Sequence, residues 1–266
     1  LFKTGNVLSN NNIFNVNNVV VNKENSENTE KITNQAFKDA FDQLIKRVLL
    51  NEDIKKLSNI DLGQIKKLIS YYQIINDDQN TKNRKKKINV SFDKDRMHNF
   101  FYNRNLLYSD ILDTEVVFFP LLKENNDFFI YTQNYFYANW QNENLDNLIQ
   151  YVLPAESIEN IQKINSNSND IYNLNISDFF KEYNSHIVFA NIEIDNNKAD
   201  IFLTSRIEGK KINKKLTINN DANFAKKKFY NQIILEVNII IQDLIKSQNL
   251  IDVRTPSFLN VEIKLD

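Results

Sequence analysis

An α+β fold of two small domains, each a mixed or antiparallel sheet with helices packed on one face, is predicted by three features of the sequence. Apolar residues recur at helical spacing from Ile32 to Leu49 and again from Phe224 to Ile245, which predicts two long amphipathic helices. Three alternating segments, His186 to Ile194, Ala199 to Ile207 and Lys211 to Ile218, are separated by the turn-competent Asp195-Asn196-Asn197 and Glu208-Gly209, so an antiparallel meander is expected. Helices and strands fall in blocks rather than in regular βαβ alternation. A chain of 266 residues exceeds one small core and suits two. The boundaries read as 1–110 and 111–254, with residues 255–266 opening a further strand or unit.

In order along the chain, β-branched Ile13 to Val21 reads as a first strand. Ile32, Ala36, Phe37, Ala40, Phe41, Leu44, Ile45, Val48 and Leu49 then form the stripe of the first long helix. Ile65, Leu68, Ile69 and Tyr72 indicate a shorter helix capped by Asp61. Residues 76–87 are polar and basic, a loop or strand entry. Ile88 to Phe92 alternates as a strand, and Lys94 to Asn103 reads as a helix crossing back. The near-continuous apolar run Val116 to Leu122 predicts a central strand buried on both faces. Pro120 lacks a ladder donor, so an irregular strand end is expected there. Phe128 to Tyr131 is a candidate hairpin partner, Tyr135 to Gln150 looks helical, and Tyr151 to Pro154 reads as a short strand. Ser177 is placed to cap a helix through Phe179, Phe180 and Tyr183, and Asn219 or Asp221 to cap the last long helix.

Composition narrows the chemistry. Only 3 Gly are present, which disfavours phosphate-cradling loops, where glycine lets the backbone approach an anion. With no Cys, disulfides, thiolate metal sites and cysteine nucleophiles are excluded. The net charge of −1 gives no global field to recruit nucleic acid or an anionic membrane. No stretch approaches the roughly 20 apolar residues that span a bilayer. The sequence starts at Leu1 and ends in the alternating Phe258 to Leu265. A mature or trimmed form, with any targeting signal removed from view, and a natural continuation are therefore expected.

Candidate sites are sparse. His98 and His186 stand far apart with no third ligand at metal-site spacing, so neither metal nor cofactor is predicted. Ser177, Ser185 and Ser205 lack a glycine-containing elbow and a matched base. Asp93-Lys94-Asp95-Arg96 opens a helix, where acids complement the helix dipole. The aromatic cluster Phe128, Tyr131, Tyr135, Tyr137 and Trp140, with Phe129 and Phe136, is a candidate partner-binding surface, although such clusters more often build cores. Lys82, Arg84, Lys85, Lys86 and Lys87 form the strongest basic run and a candidate anion site.

Several segments, in this order, look familiar: Ala36 to Leu49, Ile88 to Asp93, Val116 to Leu122, Trp140 in a helix, Tyr151-Val152-Leu153-Pro154-Ala155-Glu156-Ser157 and Phe179-Phe180-Lys181-Glu182-Tyr183. Together they resemble the proteobacterial family known as domain of unknown function 2066, from about Ile13 to Ile245. At fold level the second half also resembles the amino-terminal domain of TolB. The resemblance implies an exported envelope protein, and the family brings no catalytic residues to carry over. The sequence therefore predicts a non-enzymatic periplasmic binding or scaffold module whose partner is another envelope protein, reached through a sheet edge or the aromatic surface; a cytoplasmic location stays open. One alternative is an enzyme assembled from scattered acids such as Asp93, Asp95, Glu156 and Glu159. Another is weak anion or nucleic-acid binding through residues 82–87.

Overall fold

The computed structural model describes residues 12–22, 28–75, 85–140, 148–173, 179–180, 183, 186–195 and 197–255. The chain divides into two units, residues 1–110 with 249–266, and Ile111–Gln248.

In the first unit, β1 (Asn15–Asn22) leads to α1 (Thr29–Val48), which Asn28 caps through its side chain onto the Lys31 N–H. The spacing read from the sequence is the face that α1 buries, from Ile32 to Val48. The short α2 (Asn51–Ile54) precedes α3 (Leu62–Leu68), where Asp61 accepts from the Gln64 N–H as expected of its cap position. The helix stops earlier than its apolar spacing suggested. Ile69 and Tyr72 belong instead to β2 (Ile69–Ile75), which pairs antiparallel with β3 (Lys85–Phe92). Five of its seven residues are β-branched or aromatic, and the chance to satisfy a ladder outweighs a short helical period. β3 is central between β1 and β2. α4 (Lys94–Tyr102) follows with Asp93 as its N-cap, and β4 (Tyr108–Ser109) ends this stretch.

The second unit is built on a sheet of order β10-β9-β8-β5-β6, with a further strand on β5. Its spine is β5 (Thr114–Glu124), buried from Val116 to Leu122. A hairpin through Asn125 (φ 53°) and Asn126 (φ 67°) turns β5 into β6 (Asp127–Phe129). Both turn residues are left-handed, as a two-residue hairpin of this twist requires and as Asn tolerates. α5 (Tyr135–Asn139) is only one turn, and residues 141–147 of the longer helix expected there lie outside the described residues. β7 (Ile149–Val152) runs parallel to β5, and Ser157 caps α6 (Ile158–Ser166). Ser177 lies outside the described residues, and Phe179 and Phe180 enter the core without lying in a helix.

The meander is present as expected: β8 (His186–Asp195), β9 (Lys198–Ile207) and β10 (Lys210–Asn219). Gly209 (φ 73°) and Glu208 (φ 49°) turn β9 into β10, and glycine carries the first of those values without a Cβ penalty. α7 (Lys226–Lys246) starts later than either proposed cap. Asn220 holds the preceding loop, donating to the Phe224 carbonyl at 2.9 Å and accepting from its N–H at 2.6 Å. The chain then returns to the first unit as β11 (Leu250–Ile251), antiparallel to β4.

Pro120 does not interrupt β5. Its pairing with β8 runs unbroken from Val116 to Glu124. On the opposite edge, β7 pairs only up to Val117 and β6 only from Leu122. The Pro120 carbonyl instead accepts from Asn134 Nδ2 at 2.9 Å. A strand residue presents its N–H and C=O to the same side, so the missing donor faces a gap where no ladder bond was available. Alternation along β5 then feeds two cores. Val116, Phe118 and Leu122 pack with α7, and Val117, Phe119 and Leu121 pack with Ile164, Ile171 and Phe180 on the other face.

Candidate functional site

The five aromatic residues singled out as a partner surface are divided between those two cores. Trp140 (1% exposed) stacks on Phe118 with ring centroids 3.9 Å apart, and Tyr131 (2% exposed) packs edge-on to Phe119 at 5.4 Å. Phe128 and Tyr137 join the Tyr131 side, and Tyr135 joins the Trp140 side. The phenols that reach polar groups do so internally: Tyr137 donates to the Pro154 carbonyl at 2.7 Å and Tyr135 to Asn231 Oδ1 at 2.7 Å. Tyr131 and Trp140 are thus core residues, whereas Phe128, Tyr135 and Tyr137 are half-buried at the margins of the two cores.

Of the basic run, Lys82 and Arg84 lie outside the described residues. Lys85, Lys86 and Lys87 belong to β3, and in a strand the neighbouring side chains of Lys86 and Lys87 point to opposite faces. Lys87 is exposed, opposite Val20 and Ile75, while Lys86 is half-buried opposite Val21. The strand period thus separates charges that are adjacent in sequence.

The scattered acids have local uses. Asp93 caps α4 through the Arg96 N–H, Glu156 accepts from Thr132 Oγ1 at 2.9 Å, and Glu159 pairs with Lys163 at 2.7 Å. Asp95 is exposed in the first turn of α4. The histidines are similarly engaged. His98 Nε2 is 2.9 Å from the Tyr108 hydroxyl with its ring edge-on to Phe14, and His186 Nδ1 accepts from the Glu208 N–H at 3.3 Å. Burial lowers the His98 pKa, assisted by the nearby Lys94. Among the described residues no cluster of three His, Asp or Glu side chains could hold a metal ion, and no helix is long and apolar enough to cross a membrane.

Polar groups do converge on the sheet face opposite α7, where β8, β9 and β10 run beyond the edge of the core. A cleft of about 390 Å³ is lined by Tyr172, Glu193, Asp200, Ile201, Phe202 and Lys215. Register puts Glu193 directly across from Asp200, Asn191 across from Phe202, and Phe202 across from Lys215. Tyr172 stands edge-on to Phe202 at 5.6 Å and donates its hydroxyl to Glu193 Oε2 at 2.9 Å. Each carboxylate already has a cation, Lys123 on Glu193 at 2.8 Å and Lys198 on Asp200 at 2.6 Å, and Thr217 donates to Asp200 at 2.6 Å. The Lys123 hydrogen bond draws the Glu193 pKa down, and Asp200 is lowered chiefly by its bond to Lys198. Burial, then the bond to Glu193, pushes the Tyr172 phenol up to about 12. Asn191, 2% exposed, lies beside that phenol, and its side-chain hydrogen bond acts on the phenol in the opposite sense, lowering its pKa.

Sequence reasoning missed this cleft because its members come from four separate segments of ordinary polar composition. The usable signal was the polar pair Asn191 and Glu193, which follows the apolar Ile187 and Phe189 on the same face of β8.

The second unit's edge is the other exposed feature. β10 pairs with β9 residue by residue from Lys210–Ile207 to Asn219–Lys198, and among the described residues no strand lies on its other side. It carries Lys210, Lys211, Lys214 and Lys215 and no acidic residue.

No family model matches the chain, and no curated protein matches it either. Some solved structures show weak similarity to parts of the chain. Lipoprotein GNA1162 from Neisseria meningitidis is 14% identical with a TM-score of 0.28, over 50% of this chain and 99% of that one. The LpoB C-terminal domain from Salmonella enterica is 9% identical with a TM-score of 0.26, over 42% of this chain and 87% of that one. An uncharacterized protein is 6% identical with a TM-score of 0.24, over 52% of this chain and 93% of that one. Likeness at this level fixes neither partner nor activity.

Proposed function

We propose that this chain is a non-catalytic module of the cell envelope that binds another envelope protein by accepting an acidic, extended segment along the free edge of β10. The observation that carries the reading is the edge itself. Ten residues in unbroken register with β9 extend about 33 Å at the usual rise per residue. Every second residue of an antiparallel edge strand turns both its N–H and its C=O outward. Such a row is a template for strand addition, in which main-chain bonds supply affinity and alternating side chains supply selectivity.

Lysines on an edge ordinarily keep sheets from pairing indiscriminately. Here they also choose. Two copies of β10 would set Lys210, Lys211, Lys214 and Lys215 against like charges, whereas an acidic strand would meet opposite ones. The envelope placement rests on the order of core segments from Ala36 to Tyr183.

A titration with a peptide alternating Glu and Val, as long as β10, tests the reading. Binding is expected with a Kd on the order of 10 µM at low salt. It should weaken at least tenfold when Lys210, Lys211 and Lys214 are all changed to Glu, and with added salt, since exposed charges are screened over about 10 Å at 0.1 M. Equal binding of a Lys-Val peptide, or no effect of the charge reversal, would remove the edge from consideration.

A further inference from the structure

We propose that β2 is a self-association strand: two copies of the chain pair antiparallel along its free edge, with Gln73 on the twofold axis, and join their three-stranded sheets into one continuous sheet. β3 occupies one side of β2, and among the described residues no strand lies on the other. That side is open, since Tyr71 is 60% and Tyr72 45% exposed and Gln73 is exposed beside them. Natural sheets blunt such edges with lysine, proline or an inward-pointing charge. β10 carries lysines, whereas β2, Ile69-Ser70-Tyr71-Tyr72-Gln73-Ile74-Ile75, carries neither charge nor proline. A bulge between Ile69 and Tyr71 lies at its start, and Tyr71 to Ile75 then pair with Ser91 to Lys87 without a break.

The backbone sets the register. The Phe92 N–H donates to the Phe14 carbonyl, just ahead of β1, and the Asp93 N–H to the Leu68 carbonyl, just ahead of β2. Residues of a strand bond alternately to one side and the other, so Ser91, Asn89 and Lys87 bond toward β2, opposite Tyr71, Gln73 and Ile75. The N–H and C=O of Tyr72 and Ile74 are left facing outward. An antiparallel copy satisfies them by setting Tyr72 of each chain against Ile74 of the other. The same register sets Tyr71 against Ile75 and Gln73 against Gln73. The segment is therefore complementary to itself: a ring meets an aliphatic side chain on both faces of the sheet, and two amides, each donor and acceptor, meet at the axis. Such an isologous contact closes on two copies and stops there. On the face covered by α1, the new pair extends the row Val16, Val90, Tyr72, where Phe37 already stands edge-on to Tyr72 at 5.1 Å. An edge without charge gives a charged strand nothing to pair with, whereas a second copy meets its own match at every position. The contact is separate from strand addition at β10, whose lysines keep two copies apart.

Sedimentation of the intact chain at low salt, from about 5 µM to about 500 µM, reads the association, and a contact this short is expected to give a Kd on the order of 100 µM. Gln73→Lys sets two like charges directly across the ladder and should weaken the dimer about tenfold, as should Gln73→Glu by itself. Mixed in equal amounts, the two variants should associate at least as tightly as the parent chain, because unlike charges then meet at the axis. Variants that had merely misfolded could not recover in this way. Charge reversal of Lys210, Lys211 and Lys214 should leave the association unchanged. A monomer at every concentration, a dimer indifferent to Gln73→Lys, a dimer abolished by the reversal on β10, or no recovery in the mixture would overturn the proposal.

Discussion

Asn134 shows how much structure one buried side chain can organise. It is fully buried, donates to the Pro120 carbonyl at 2.9 Å and the Phe129 carbonyl at 3.1 Å, and accepts from the Phe136 N–H at 2.9 Å. It thereby satisfies β5 where no strand pairs and starts the single turn of α5. Asn134→Ala would leave the Pro120 carbonyl and the Phe136 N–H without this partner, at about 1–3 kcal/mol for each one kept from water. A loss of about 3 kcal/mol in denaturant unfolding is expected, and a loss under about 0.5 kcal/mol would show that water replaces the amide. His98 gives a pH signature. Its pKa in the fold lies below the ordinary 6.5 because burial disfavours the imidazolium. The unfolded chain therefore binds the proton more readily, and stability is full above about 6.5 and falls as pH drops through the lowered value. Tm measured from pH 7.5 downward should decline less in His98→Gln than in the parent chain. Neither role was legible beforehand. In a chain rich in Asn no single Asn stands out, and a lone His carries no mark of its neighbours.

Among the elements, those with long periods were readable, as were the short α4, β3 and β6, whereas β2 and the single turn of α5 were not. α1, α7 and the meander follow the apolar spacing closely, because burial of a whole face dictates the pattern. β2 was hidden inside a helical reading, since Ile65, Leu68, Ile69 and Tyr72 fit a helix until β3 offers Ile69–Ile75 a partner. α5 is too short to hold itself together in water, and it depends on Asn134 and on Phe136 and Trp140 reaching into the core. Trp140→Ala removes the ring stacked on Phe118 and should cost about 3–5 kcal/mol. An effect below about 1 kcal/mol would mean that this ring is dispensable to the unit. The β5 spine was legible as a strand buried on both faces. How Pro120 fits within it was not, because that depends on where β6 and β7 stop.

At the scale of the whole chain, a net charge of −1 conceals a basic edge on β10 and a charge-balanced cleft beside it. Global composition excluded a long-range field and could not reveal either feature, since both arise when strands far apart in sequence become neighbours. The central claim is that β10 receives a partner strand. Hydrogen exchange of the intact chain, with and without the acidic strand peptide, tests it most directly. Slowed exchange confined to Lys210–Asn219, lost on charge reversal of its lysines, is the outcome expected of strand addition. Unchanged exchange along β10 while the peptide is bound, or protection centred on another element, would contradict it.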